Sequence, residues 1–333
     1  MNKIMLTEDF RGNILITQDG KVISECCQGY ADLPNKRLNN KNTRFASASA
    51  GKVFVAVGIL MLIEKGRLDL NDSLGRLLPF DLHLIDPHIT VELLLTHTSG
   101  VPDYFDEQVM DDYEELWRDF PNYKIRKNSD LLPLFIKNPM QYPRGTKFSY
   151  NNSGYVLLAA IIEQITQKPF DVYLDEVIFK PCRMDATGYF ELDRLPSNCA
   201  NNYIYCESTD SYRTNIYSVD AKGSGAGGAF ITTKDVVMFW DALIHYRLLS
   251  KKMTEQMFEI HSKDEDGACY GYGIWINNKD SRDKILYFQG QDPGVSFISE
   301  YHPQSSVQIT LVSNYGDNVW REIRKIRNQL AEE

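Results

Sequence analysis

Strand-type patterning is confined to the two ends of this chain, and the long middle reads as mainly helical. At the start, Asn13-Ile14-Leu15-Ile16-Thr17 leads through Gln18-Asp19-Gly20-Lys21 into Val22-Ile23-Ser24, a hairpin signal with a turn that suits left-handed backbone. Strand signals return only near residue 270, as Tyr270–Ile276, Ile285–Phe288, Val295–Ile298 and Val307–Val312. A charged amphipathic helix spanning about 318–331 closes the chain. Distant runs of this kind bury their apolar faces most simply by pairing in one antiparallel sheet covered by helices. The expected class is therefore α+β, an α/β sandwich with a mainly helical subdomain. Residues 1–66 with 267–333 would form the sheet domain, and 67–266 the helical one. The cleft between them is the default site.

At 333 residues the chain is long enough for a substantial core, and no apolar run is long enough to span a bilayer. A net charge of −9 argues against sequence-independent binding to nucleic acid, which needs a basic surface. Small molecules or short peptides are the expected partners, with no nucleic acid and no membrane span. The first nine residues lack the apolar core of a secretory signal, and six scattered cysteines do not make a disulfide scaffold. Both features point to a reduced, cytoplasmic setting. The segment 103–120 holds eight acidic residues against one base, interleaved with Tyr104, Phe105, Tyr113 and Trp117. It reads either as a solvated face or as a lid whose negative rim discourages anionic substrates.

Ser49-Ala50-Gly51-Lys52 carries the chemistry. Residues at i and i+3 share a helix face, so a hydroxyl and an amine meet one turn apart. A serine hydroxyl needs a neighbouring base to become a nucleophile, and here the base comes in the same motif. Phe54, Val57, Gly58, Met61 and Leu62 continue at helical spacing to Gly66, a natural C-terminal stop. Further on, Tyr150-Asn151-Asn152 precedes the apolar stretch 154–166, placing a phenol and an amide at a loop end. An ammonium favours a nearby phenolate, while burial disfavours the ammonium, so such a pair can pass a proton between them. The bland alternatives are a helix-capping serine at 49 and a capping turn at 150–152.

Other motifs exclude chemistries. Gly223-Ser224-Gly225-Ala226-Gly227-Gly228 satisfies G-x-G-x-x-G but neither follows a strand nor opens directly into a helix. Ala46 and Val53 stand where a phosphate loop needs glycine and a hydroxyl residue. No G-x-S-x-G elbow occurs, and the six histidines form no H-E-x-x-H pattern, so neither metal nor cofactor is expected. His97, in a turn, reads as a satisfied structural residue rather than a catalytic one.

Phe45–Ala56 and its continuation Glu64–Asp72 resemble the nucleophile segment of class C β-lactamases, penicillin-binding D-alanyl peptidases and related serine hydrolases. Leu94-Leu95-Thr96-His97-Thr98-Ser99-Gly100 is similar to a second signature of that family, Tyr150-Asn151-Asn152 to its Tyr-x-Asn, and 227–235 to its glycine-rich turn before a late helix. The resemblance runs from about residue 10 to the C-terminus. It implies the β-lactamase/D-alanyl-peptidase fold and hydrolysis of an ester or amide through an acyl-enzyme. Ser49 would be acylated, Lys52 and Tyr150 would handle protons, and Asn152 would hold Lys52 and a substrate oxygen. The Ser49 N–H would give one oxyanion donor, the kind of preorganised group worth ~3–4 kcal/mol in the transition state.

The chain departs from the family at the third motif. Where relatives carry Lys-Thr-Gly or His-x-Gly before Pro-Gly, the sequence reads Phe288-Gln289-Gly290, then Gln291. Phe288, Gln289, Gly290 and Gln291 are the expected oxyanion and substrate-binding strand, with the Gln291 N–H as second donor. Loss of the cation weakens a carboxylate contact worth ~1.5–3 kcal/mol, so efficient β-lactam hydrolysis is not expected. The competing reading is a slow-turnover, penicillin-binding sensor.

Overall fold

A computed structural model of the protein describes residues 7, 9–106, 109–110, 112–278 and 284–331. Its centre is an eight-stranded sheet built from both ends of the chain. The strands are β1 Gly12–Gln18, β2 Lys21–Gln28, β3 Ser262–Lys263, β4 Cys269–Tyr270, β5 Trp275–Asn277, β6 Ile285–Asp292, β7 Val295–His302 and β8 Val307–Ser313. They lie in the order β2-β1-β8-β7-β6-β5-β4-β3, every neighbouring pair antiparallel. The α+β class expected from the sequence is the one observed.

The β1–β2 turn has Asp19 at φ 49° and Gly20 at φ 73°. Both central residues are left-handed, as a two-residue hairpin loop with matching twist requires. The run 270–276 is two strands rather than one. Gly273, at φ 75°, sits in the turn between β4 and β5, which then pair with each other. Short ribbons form between residues 30–32 and 37–38, and between 203–206 and 211–214, outside the apolar runs that marked the main sheet.

Alternation along the strands sorts side chains onto two layers. Ile14, Ile16, Ile298, Ile309 and Leu311 pack beneath helix residues Val319, Ile323 and Ile326. Phe288, Phe297 and Val312 face the other way, into the main core. That core holds α1 Lys52–Glu64, α2 Asn152–Thr166 and α3 Thr233–Ile244, while α4 Val319–Ala331 covers the first face. Helix α1 is buried almost all round, as suits a helix apolar on every side. It cannot pivot at the surface, so whatever its first residues carry is held fixed.

Candidate active site

The short strand Phe45–Ala46 pairs with Phe230–Ile231, bringing the glycine-rich stretch 223–228 against the turn that precedes α1. Ser47 N–H donates to Ala229 O at 2.8 Å and Gly228 N–H to Ala48 O at 3.0 Å. Ala48 is held at φ 48°, an uncommon conformation for a residue with a Cβ, and Ser49 follows in a 3-10 turn, Ala48–Gly51. A Cβ on Gly227 would overlap the Ala48 carbonyl, so glycine is needed there for close approach. Ser49 is thus lifted on a strained turn at the mouth of a buried helix rather than spent on capping it.

Lys52 is only 2% exposed. Its Nζ lies 2.9 Å from Ser49 Oγ, 2.8 Å from Asn152 Oδ1 and 2.5 Å from Ala226 O. Two of these partners are pure acceptors and claim two N–H bonds. The third direction faces the serine, where an ammonium donates or a neutral amine accepts the hydroxyl proton. The Tyr150 ring stands 4.9 Å from Nζ, centroid to nitrogen, and stacks on Trp275 at 5.9 Å.

Asn152 opens α2, whose N-terminus is capped by Asn151 Oδ1 accepting from Gly154 N–H at 2.7 Å. Behind Asn152 lies Asp103, which the sequence did not single out as a site residue. Its carboxylate accepts from Asn152 N–H at 2.8 Å, Asn152 Nδ2 at 3.2 Å, Ser153 N–H at 3.0 Å and Ser153 Oγ at 3.1 Å. Because Nδ2 is committed to Asp103, Oδ1 must turn toward Lys52. Burial pushes the Asp103 carboxyl up to about 6, against the pull of the Asn152 and Ser153 donors and of Lys52.

His97 is buried, and its Nδ1 accepts from Asn151 N–H at 3.0 Å. Burial first, then the charge of Lys52, hold it well below its ordinary pKa and so neutral. Its ring lies 4.4 Å from that of Tyr150 and 5.0 Å from Tyr155. It braces the Tyr150 loop from behind, but its buried Nε2 has no hydrogen-bond partner, so the expected satisfied histidine is met at Nδ1 only.

The cleft over these groups has a volume of about 900 Å³ and opens between Ser49, Tyr150, Asn152, the aromatic residues Tyr104, Phe105 and Tyr113, and strand β6. β6 outruns β5, whose pairing ends at Trp275 opposite Tyr287. Its remaining residues have an open edge. The Asp292–Val295 pair closes a two-residue turn, so Gly290 faces Phe297 within the ladder and Gln289 and Gln291 direct their N–H and C=O groups outward. Gly290 is what allows the approach. A Cβ there would come within 2.6 Å of Ser49 N and 2.8 Å of Ala50 N.

The four residues 288–291 do not act as one wall. Gln289, Gly290 and Gln291 line the cleft, but Phe288 does not. It is 3% exposed and sits in the core, its ring 5.2 Å from Trp240 and 5.8 Å from Phe297. The expectation that Phe288 contacts substrate is corrected on this ground. Alternation puts 288 and 290 on the face turned toward the buried helices, and an apolar ring at 288 follows it inward. Gln289 in turn is engaged by Trp320, whose Nε1–H donates to its Oε1 at 2.7 Å. The segment 103–120 contributes Tyr104, Phe105 and Tyr113 to the cleft, while residues 107, 108 and 111 lie outside the described part. No group of metal-ligating side chains occurs among the described residues, and no helix there is long and apolar enough to cross a membrane.

The family model for Beta-lactamase matches residues 10–332. The chain is similar to penicillin-binding protein 4* of Bacillus subtilis, at 29% identity over 302 residues, covering 86% of this chain and 64% of that protein. It is also similar to a putative penicillin-binding protein, PbpX, of the same organism, at 26% identity over 96% of this chain and 74% of the other. Among solved structures, a penicillin binding protein from Bacillus halodurans superposes with a TM-score of 0.92 at 36% identity, covering 96% of this chain and 97% of that one. A D-amino acid amidase from Ochrobactrum anthropi SV3 shares the fold, with a TM-score of 0.79 at 23% identity over 96% and 95% of the two chains. With the match running over nearly its whole length, the chain belongs to the Beta-lactamase family.

Proposed function

We propose that the protein is a serine hydrolase that cleaves an ester or amide through an acyl-enzyme on Ser49. The observation that carries this reading is the buried Lys52 Nζ, held between Ser49 Oγ, Asn152 Oδ1 and Ala226 O at 2.9, 2.8 and 2.5 Å. The Ser49 proton passes to the Lys52–Tyr150 pair as Oγ bonds to the carbonyl carbon. The oxyanion is held by the N–H groups of Ser49 and Gln291. Collapse of the tetrahedral species breaks the bond to the leaving alcohol or amine, which takes the proton. Water then adds to the acyl-enzyme by the reverse proton route, releasing the acid and restoring Ser49. Asn152, oriented by Asp103, holds Lys52 in register through its Oδ1. Family membership and the likeness to penicillin-binding proteins support acyl transfer at a serine.

A fluorophosphonate probe tests the reading. It should add its mass to the peptide holding Ser49 and leave a Ser49→Ala variant untouched. Absence of native-state labelling would overturn it. An adduct with penicillin that persists for hours and no ester turnover would favour the sensor instead.

A further inference from the structure

The proton route through Lys52 and Tyr150 needs the Tyr150 phenol held in one place, and the stretch that carries it supplies only part of that restraint. Residues 147–151 belong to no helix or strand, and the Tyr150 side chain is half-buried at the cleft. The backbone on either side is pinned to His97. Ser149 N–H donates to His97 O at 2.9 Å, and Asn151 N–H donates to His97 Nδ1 at 3.0 Å. These bonds fix the main chain, while the side-chain torsions of Tyr150 are settled by what packs on its ring. The Lys52 Nζ lies 4.9 Å from the ring centroid. The phenol oxygen sits at the far end of the ring, so a tilt that leaves the centroid in place still moves that oxygen relative to Nζ.

Two rings set the tilt. The buried His97 imidazole lies 4.4 Å from the Tyr150 ring. The Trp275 indole lines the cleft and lies 5.9 Å from the same ring, with only 17° between the planes. Stacking at that separation is a favoured aromatic arrangement and restrains the plane of both partners. Trp275 is itself held. It opens β5 just after the Gly273 turn and stacks on its cross-strand partner Tyr287 at 6.3 Å. Buried Tyr270 meets its edge at 4.8 Å and 81°, and the same Tyr270 ring lies 4.8 Å from His97. One aromatic frame therefore reaches both rings that pack on Tyr150. An indole has no basic nitrogen to take a proton, so what Trp275 does for the reaction it does through Tyr150.

We propose that Trp275 is a positioning residue for the Tyr150 phenol, an inference that rests on the hydrolase reading above. Kinetics of the full chain on p-nitrophenyl acetate and p-nitrophenyl hexanoate test it. Trp275→Leu should lower kcat about tenfold or more, by the same factor on both esters and with KM little changed. The rate at which a fluorophosphonate labels Ser49 should fall alike. Trp275→Phe keeps a ring face and should stay within about threefold of the parent in kcat. A loss confined to KM, or one that differs between the two esters, would make Trp275 a substrate contact and overturn the proposal. So would an unchanged kcat in Trp275→Leu, or a phenylalanine variant no better than the leucine one. If urea unfolding shows the leucine variant misfolded, Trp275→Met, which fills more of the space without a ring, takes its place. Failure of both to fold would show a structural role only and would also overturn the proposal. With a parent protein that turns over esters and is labelled at Ser49, each of these failures touches Trp275 alone. A parent that does neither would defeat the hydrolase reading itself.

Discussion

Replacing Asp103 with asparagine separates positioning from stability. Asp103 Oδ2 accepts from the Asn152 N–H and Nδ2, and Oδ1 from the Ser153 N–H and Oγ. An asparagine keeps one acceptor oxygen and turns the other into a donor, so two charge-assisted bonds are lost at ~1.5–3 kcal/mol each. Against this, the buried charge disappears. Moving a carboxyl from 3.8 to about 6 is worth ~3 kcal/mol between its two protonation states. The two terms largely offset, and the variant should lose no more than ~3 kcal/mol of stability. Activity should suffer more, because the Phe105 carbonyl and Lys52 itself are then left to fix which end of the Asn152 amide faces Lys52. A fall of ~10–100-fold in kcat/KM corresponds to ~1.4–2.8 kcal/mol. The pH dependence distinguishes the mechanism. With its folded pKa raised above the unfolded value, Asp103 keeps a proton in the folded protein that the unfolded chain has released between 3.8 and about 6. Its stability contribution is therefore full below that window and lost as pH rises through it. The ionised carboxylate that accepts all four donors forms over the same range, so activity should rise while stability falls. Ester hydrolysis from pH 4.5 to 9, beside urea unfolding, reads both trends. An Asp103→Asn protein within threefold of the parent in kcat/KM, or one keeping the rising limb near pH 6, would refute the reasoning.

Gly290→Ala should cost ~1–3 kcal/mol by urea unfolding and reduce kcat disproportionately, since the added Cβ must displace the Ser49 and Ala50 amides. An alanine variant with unchanged kcat would show that β6 does not form the oxyanion edge. Phe288→His should not restore a carboxylate-binding group. The imidazole would be buried between Trp240 and Phe297, costing ~2–4 kcal/mol in the same unfolding assay. A stable Phe288→His protein with raised activity on carboxylate-bearing esters would contradict the inward placement of this side chain.

The parts of the site written locally in the sequence were readable there. Ser49 and Lys52 are three residues apart, and Tyr150 and Asn152 flank a helix start, so spacing alone brings each pair together. The hairpin at Asp19-Gly20 and the strands at the chain ends follow from turn chemistry and period-two patterning in the same way. Asp103 was not legible as a partner of Asn152, because the contact spans 49 positions and neither residue carries a local signal of it. The third acceptor of Lys52 is the backbone carbonyl of Ala226, an atom no side-chain motif can announce. Phe288 is a different case. The alternation that places the apolar strands also puts 288 on the inward face, whereas the resemblance at the third motif points it toward substrate. Within 270–276, Gly271 and Gly273 open a turn inside an otherwise strand-like stretch, which the apolar pattern alone does not mark.

The central claim is that Ser49 carries the acyl group during turnover. Rapid acid quench of the enzyme with a p-nitrophenyl ester, followed by peptide mass spectrometry, measures it directly. The account predicts the acyl mass on the peptide holding Ser49, and loss of turnover in Ser49→Ala. Acyl mass on any other residue, or turnover retained by Ser49→Ala, would contradict it.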